Sequence, residues 1–201
     1  MKSIYNFIIT PLNERYENEV DVGDKRLIVN TSIEDHKFIS KRAKVLSVPI
    51  AFNTDIKEGD EVIVHHNIFR RWYDMRGIEK NSSQYFEDDK YFCNIDQIYL
   101  YKENNQYKPN LNYCFVKPLL NRNDLRAGVE KPLIGIMKYP NSFLEDQGIT
   151  KDSVVTFRPM SEFEFIVGDE RLYCMKSNDI VINHGHKENE EEYNPSWARS
   201  S

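Results

Sequence analysis

The residues able to do chemistry stand in small, separated groups. His65 and His66 are adjacent, and His184 and His186 are one residue apart. Paired imidazoles bind metal when further ligands complete the set. No Cys or His stands near either pair at zinc-site spacing, so ordinary surface histidines are expected and no metal is assigned. Asp88 with Asp89, and Glu162 with Glu164, could serve as acid–base pairs, yet neighbouring carboxylates on turns or alternating strand positions ordinarily serve solvation. Cys93, Cys114 and Cys174 are too few and too far apart for a disulfide framework; small buried residues in a reducing, cytoplasmic compartment are expected. No Gly-x-Gly-x-x-Gly occurs, which removes the dinucleotide-binding fingerprint. The expectation is a protein with no catalytic residues and no cofactor, not an enzyme.

Two segments have the composition of binding elements instead. "DKRLIVNTSIED" (24–35) sets Leu27, Ile28 and Val29 inside a polar stretch, residues 13–42, rich in Asn, Glu, Asp, Lys and Arg. Such a stretch buries too little apolar surface to offset its ordering entropy, so a mobile loop over about residues 14–42 is expected, presenting the triplet to solvent. Docked in an apolar groove, each of the three side chains gains about 1.5–3 kcal/mol, while each loop residue ordered costs about 1–2 kcal/mol. The two nearly cancel, so useful affinity needs several loops held together on an oligomer. The alternative is that "RLIVN" is one more strand of the fold. The second segment, "FRRWYDMR" (69–76), contains Phe69, Arg70, Arg71, Trp72 and Tyr73, types enriched at binding hot spots, and is a candidate interface. Its alternative is that Phe69 and Trp72 fold back over the end of the domain while the arginines stay in water.

The elements that position these segments are short and β-like. "FIIT", "AKVLSVP", "DEVIVHH", "KYFCNI" and "QIYLYK" in the first half are apolar or alternating runs bounded by Gly, Asp, Asn and Pro. "CFVKPLL", "LIGIMKYP", "SVVTF", "FEFIV", "RLYCM" and "DIVINH" follow in the second. Pairing Phe7-Ile8 with Phe115-Val116, "VLSVP" with "IMKYP", and Cys93 with Cys174 gives offsets of 108, 91 and 81. The order is kept, so a duplication is expected, with two longer loops in the first half. The expected layout is a first domain over 1–104, carrying the mobile loop and an insertion at about 67–90. A linker at 105–112, a second shorter domain at 113–185 and an acidic flexible tail at 186–201 complete it. A net charge of -5 over 201 residues lacks the basic footprint of a nucleic-acid binder. No apolar run approaches the roughly 20 residues of a membrane span, and the first residues lack the apolar region of a signal peptide.

Taken in order, the opening strand, the polar loop with its aliphatic triplet, "KRAKVLSVP", "DIKEGDEVIVHH" and "KYFCNIDQIYLYKE" resemble the GroES-type co-chaperonin family. Lys57, Gly59, Asp60 and Val62 match its Lys-x-Gly-Asp-x-Val element, and Asp96 with Ile98 approximate its closing segment. The likeness covers residues 4–103, with a weaker copy over about 113–184. It implies an all-β fold of two tandem GroES-like, partly open barrels, the second lacking a long mobile loop. It also implies a homo-oligomeric ring that docks on a GroEL-type chaperonin through Leu27, Ile28 and Val29 and closes the chamber over an unfolded client. ATP chemistry would belong to the chaperonin. Pro49 and Pro140 stand where the family has Gly, and "PIAFNTD" leaves little room for the hairpin that roofs the family's dome. Members encoded by bacterial viruses make a bacteriophage source an expectation. The competing class is a structural or interaction protein, for example a viral assembly component, that keeps the barrels without chaperonin binding.

Overall fold

The alternating and β-branched runs form strands throughout. The computed structural model describes residues 2–16, 19–22, 25–28, 38–122 and 129–199, and the chain divides into two units, Met1–Gln106 and Tyr107–Ser201. Up to the boundary run β1 (Phe7–Pro11), β2 (Glu19–Val22), β3 (Lys25–Ile28), β4 (Arg42–Ser47), β5 (Glu61–Val64), β6 (Arg71–Tyr73), β7 (Glu79–Asn81), β8 (Tyr85–Glu87), β9 (Lys90–Cys93) and β10 (Ile98–Glu103), followed by β11 (Gln106–Pro109). The main sheet has the order β11-β10-β5-β4-β1-β9-β8, while β2-β3 and β6-β7 are separate two-stranded sheets. In β4 the burial alternates residue by residue, with Ala43, Val45 and Ser47 inside, as a half-buried strand requires. These side chains join Phe7, Ile9, Val62, Val64, Tyr91, Cys93 and Ile98 in one core.

The second unit comprises β12 (Tyr113–Leu120), β13 (Glu130–Tyr139), the one-turn helix α1 (Ser142–Asp146), β14 (Ser153–Phe157), β15 (Phe163–Val167), β16 (Glu170–Lys176) and β17 (Ile180–His186). Its sheet order is β15-β16-β12-β13-β14-β17. Five residues are too few to show a helical period; α1 is held instead by its cap, Asn141 Oδ1 accepting from the Leu144 amide at 3.0 Å.

Apart from β11, which has no counterpart, the two sheets share one strand order, and their central strands pair in matching register. Phe7 pairs with Cys93 and Ile9 with Tyr91; Cys114 pairs with Met175 and Val116 with Tyr173. Ile9 opposes Val45, with a bulge between Ile8 and Ile9, and Val116 opposes Met137, with a bulge between Phe115 and Val116. Ala43 faces Val62 as Gly135 faces Val155, and Ile98 faces Val64 as Ile180 faces Phe157. The equivalent residues are therefore Phe7 with Cys114, Val45 with Met137, and Cys93 with Met175, which are offsets of 107, 92 and 82. The offsets expected from residue type slip by one at each of these strands. Side chains alternate faces, so a one-residue slip swaps core for surface: Phe7 lies in the first core, whereas Cys114, and not Phe115, lies in its counterpart.

Two further expectations are corrected. The expected linker, 105–112, contains a strand: Asn104 and Asn105 adopt left-handed φ of 49° and 64°, the turn that Asn favours in a tight hairpin, and β11 follows. The tail, expected to be flexible, packs on the second unit. Leu119 bridges Glu192, the Tyr193 amide donates to the Pro118 carbonyl at 2.8 Å, and Pro195 and Ala198 are buried. Lys117, itself buried, holds Glu170 at 2.9 Å and Glu192 at 2.8 Å. The architecture is all-β, as expected, and neither sheet closes fully among the described residues; β8 and β11, and β15 and β17, are edges. No helix among the described residues is long and apolar enough to cross a membrane.

The segment between β4 and β5 folds down instead of projecting. Ile50 and Ala51 donate to the carbonyls of Ser3 and Ile4 at 3.1 and 3.0 Å, Phe52 meets Phe7 edge-on, and Ile56 is buried. It ends in a turn where Gly59 takes φ 93° and Asp60 Oδ2 accepts from the Lys57 amide at 2.8 Å. Only glycine adopts that φ without strain, which gives "KEGD" a local structural role.

Candidate functional site

Two hairpins project from the first unit, and their bases are tied together. The first lies within the expected mobile loop. Tyr16 bridges Ile39 and the Ser40 amide donates to the Arg15 carbonyl at 3.1 Å, so the intervening chain leaves and returns at one neck. Inside it β2 and β3 pair antiparallel, Val20 opposite Leu27 and Glu19 opposite Ile28. "RLI" is thus neither irregular loop nor a strand of the main sheet: it is half of a separate hairpin. The Leu27 side chain is 51% exposed; Val29 lies outside the described residues.

The second hairpin is β6-β7, within the 67–90 insertion. Asp74 builds its tip: Oδ1 accepts from the amides of Arg76 and Ile78, both at 2.9 Å, and its carbonyl accepts from Gly77 at 2.9 Å. Gly77 takes φ 73°, the left-handed position such a turn demands. Arg71 pairs across the strands with Glu79 at 3.0 Å. The tip presents Met75 fully exposed, with Trp72, Tyr73 and Ile78 about half exposed.

Arg15 and Tyr16, at the neck of the first hairpin, hold the neck of the second. The Arg15 guanidinium donates to the carbonyls of Phe69 and Arg70 and to Asn81 Oδ1, and lies over the Tyr91 ring. Tyr16 Oη accepts from the Arg71 amide at 2.9 Å, and the Arg71 guanidinium sits 4.7 Å above the Tyr16 ring centroid. Burial lowers the Arg15 pKa from its ordinary value, and burial raises Tyr91 to about 12. Burial also pulls Arg71 down, but its hydrogen bonds to Tyr16 and Glu79 and their electrostatic attraction outweigh it and leave its pKa raised. All three Arg15 guanidinium nitrogens are bonded, the condition for an arginine half out of water to order its surroundings, whereas Arg71 Nε is buried without a hydrogen-bond partner among the described residues.

Of the five candidate interface residues, Phe69 is corrected. It is fully buried and meets Tyr91 edge-on at 4.9 Å, because the 3-10 turn His66–Ile68 directs both Ile68 and Phe69 into the core. Arg70, Trp72 and Tyr73 are exposed, and Arg71 is partly covered by Tyr16. Sequence reasoning missed Arg15 and Tyr16. Their partners lie more than fifty residues away, and no local pattern marks such a contact.

Among the groups able to do chemistry, Glu162 keeps a buried Oε2 without a hydrogen-bond partner among the described residues; the others make structural contacts. His65 caps a 3-10 turn, Nδ1 accepting from the Asn67 amide at 3.1 Å; it stacks on His66, and burial lowers its pKa. His184 bonds Thr156 and His186 bonds Thr150. Among the described residues no three His, Cys, Asp or Glu converge as a metal site. Asp88 and Asp89 make the left-handed turn between β8 and β9, and Glu164 pairs with Arg171. All three cysteines are buried; burial drives the Cys93 and Cys174 thiols far up and Cys114 to about 12. Such thiols are protonated and inert. The arrangement offers surfaces for docking.

Comparison with protein-family models and with curated protein sequences gave no match.

Proposed function

We propose that the chain is a co-chaperonin of the GroES type: a non-enzymatic protein that docks on a chaperonin ring through Leu27 and its aliphatic neighbours and assists ATP-dependent folding of a client held beneath it. One observation carries the reading. A hairpin bearing exposed Leu27 springs from a closed neck between β1 and β4, in a unit whose central strands and their register are repeated in the second. The repeat lacks the long excursion: there the neck closes from Asn121 to Val129, the amide of one donating to the carbonyl of the other at 2.8 Å. The barrel character of each unit, the ring of copies and the bacteriophage origin belong to the same proposal. The test is co-sedimentation with a GroEL-type chaperonin in ATP or ADP, wild type against Ile28→Asp. Nucleotide-dependent binding lost in the variant supports the reading, and a wild-type chain indifferent to the chaperonin overturns it.

A specific observation favours a second reading, an interaction or assembly protein without chaperonin binding. The β4–β5 segment lies against the core and builds no roof hairpin. On that reading the same pull-down is negative and the exposed β6-β7 tip carries the partner contact.

A further inference from the structure

The neck shared by the two hairpins gives the β6-β7 tip a role. Resting on the co-chaperonin reading above, we propose that Trp72, Met75 and Arg76 form a second docking element for the same partner that receives Leu27. The tip seats Met75 and Trp72 in an apolar pocket rimmed by carboxylates.

Three observations carry this. First, the two projections are joined: Arg15 and Tyr16 close the neck of one and hydrogen-bond the neck of the other. A partner engaged by the first hairpin is therefore presented to the second at a fixed root. Second, the tip is rigid and displays what a buried contact uses. Its turn is locked by Asp74 and Gly77, and it holds a fully exposed Met75 beside half-exposed Trp72, Tyr73 and Ile78, types enriched in interface cores. A solvated turn gains nothing from such a cluster. Third, the charge is complementary to an acidic rim. Residues 70–80 carry four cations, Arg70, Arg71, Arg76 and Lys80, against Asp74 and Glu79, on a chain whose net charge is -5. Glu79 is taken by Arg71 and Asp74 by Lys80, so Arg70 and Arg76 are the cations left over for a partner among the described residues.

The physical gain is one of valency. One small hairpin contact binds weakly by itself, and a second contact on the same root binds as an intramolecular event. Both hairpins belong to insertions that the second unit does not match at this length.

The test measures binding of the full chain to a purified GroEL-type ring in ADP, at low and high salt, for wild type, Met75→Asp, Trp72→Ala, Arg76→Glu and Ile28→Asp. Met75 is fully exposed, so its replacement leaves the fold intact, which circular dichroism verifies. The expected result is a rise in Kd of about tenfold or more for Met75→Asp and Trp72→Ala, the scale of hot-spot truncation, and a flatter salt dependence for Arg76→Glu. If these variants bind within twofold of wild type while Ile28→Asp abolishes binding, the second element is refuted and the co-chaperonin reading stands. If the wild type fails to bind, both fall. If Met75→Asp leaves chaperonin affinity unchanged but alters the sedimentation of the chain alone, the tip is a self-contact and the proposal is overturned.

Discussion

Replacing Arg15 with alanine tests whether the two necks are one structural unit. The guanidinium makes three hydrogen bonds across more than fifty residues of sequence: one to the partly buried Phe69 carbonyl, and two exposed ones, to Arg70 O at 3.1 Å and Asn81 Oδ1 at 2.7 Å. Water replaces the two exposed bonds, so they count about 0.5 kcal/mol each. The Phe69 carbonyl loses a charged donor where water enters poorly, at about 1–3 kcal/mol. The cation–π contact with Tyr91 at 5.3 Å adds about 0.5–1 kcal/mol. Against this, the variant no longer takes a charge partly out of water. The net expectation is a loss of about 2–3 kcal/mol, read as a lower urea midpoint with an unchanged slope. Native-state hydrogen exchange supplies the spatial readout: the Arg71 amide, held by Tyr16 Oη, and the Ser82 amide, held by the Arg70 carbonyl, exchange faster while β4 and β5 keep their protection. A loss under about 0.5 kcal/mol, the level of an ordinary surface change, or unchanged exchange at Arg71 and Ser82, refutes the shared root.

Gly135→Ala places a Cβ 2.5 Å from Val116 Cγ1 and 2.6 Å from the Lys117 carbonyl, so β12 and β13 must separate; a loss of about 1–3 kcal/mol is expected by chemical denaturation, and none if the strands yield freely. Glu170 and Glu192 are each raised by burial but lowered further by their lysines, Lys138 and Lys117 for Glu170, Lys117 and Lys187 for Glu192, leaving both below the ordinary 4.5. The stability they supply is complete above that pH and is lost as pH falls through the lower folded values, so acid melts should show the second unit failing first, and Lys117→Met should flatten the profile. Cys93, Cys114 and Cys174 should resist iodoacetamide at pH 8 in the folded chain and react together on unfolding, because burial holds all three thiols protonated. Removing residues 188–201 should destabilise the second unit, since Lys117 loses Glu192, and Lys117→Thr, the residue at the equivalent Thr10, should recover part of the loss in a double-mutant cycle read by thermal melting.

Much of the fold was legible because strand periodicity is a local signal: the runs read as β in the sequence are the runs that pair. Duplication was legible too, but its register was not. Matching Phe7 to Phe115 follows residue type, whereas a sheet sorts residues by face, and the face of Phe7 is occupied by Cys114. Composition marked Trp72 and Tyr73, which stand exposed, and misjudged Phe69, because an apolar residue beside arginines reads as interface until a 3-10 turn directs it inward. Arg15 and Tyr16 carried no sign at all, since a contact across the fold leaves no periodicity. The tail misled for an electrostatic reason. Its acidic run reads as solvated until its partners are known, and Lys117, Arg122 and Lys187 lie far upstream or just before it.

The register also explains why a repeated plan ends with two different surfaces. On the outer face of the first sheet stand Arg42, Lys44 and Glu61, with Glu61 held by Arg42 at 2.8 Å and Lys102 at 3.5 Å. The equivalent positions in the second sheet are Ile134, Ile136 and Val154, which cluster with Leu119. A charged face can meet water; an aliphatic one needs a cover. The tail runs beside the end of β12 through Glu191, Glu192 and Tyr193. It also brings the carboxylate that lets Lys117 be buried at the edge of that cluster, since a buried cation is tolerated only when paired. The second unit thus spends its extra chain on pairing with the end of β12 and on neutralising Lys117. The first, whose outer face is charged, spends its extra chain on two hairpins on one root.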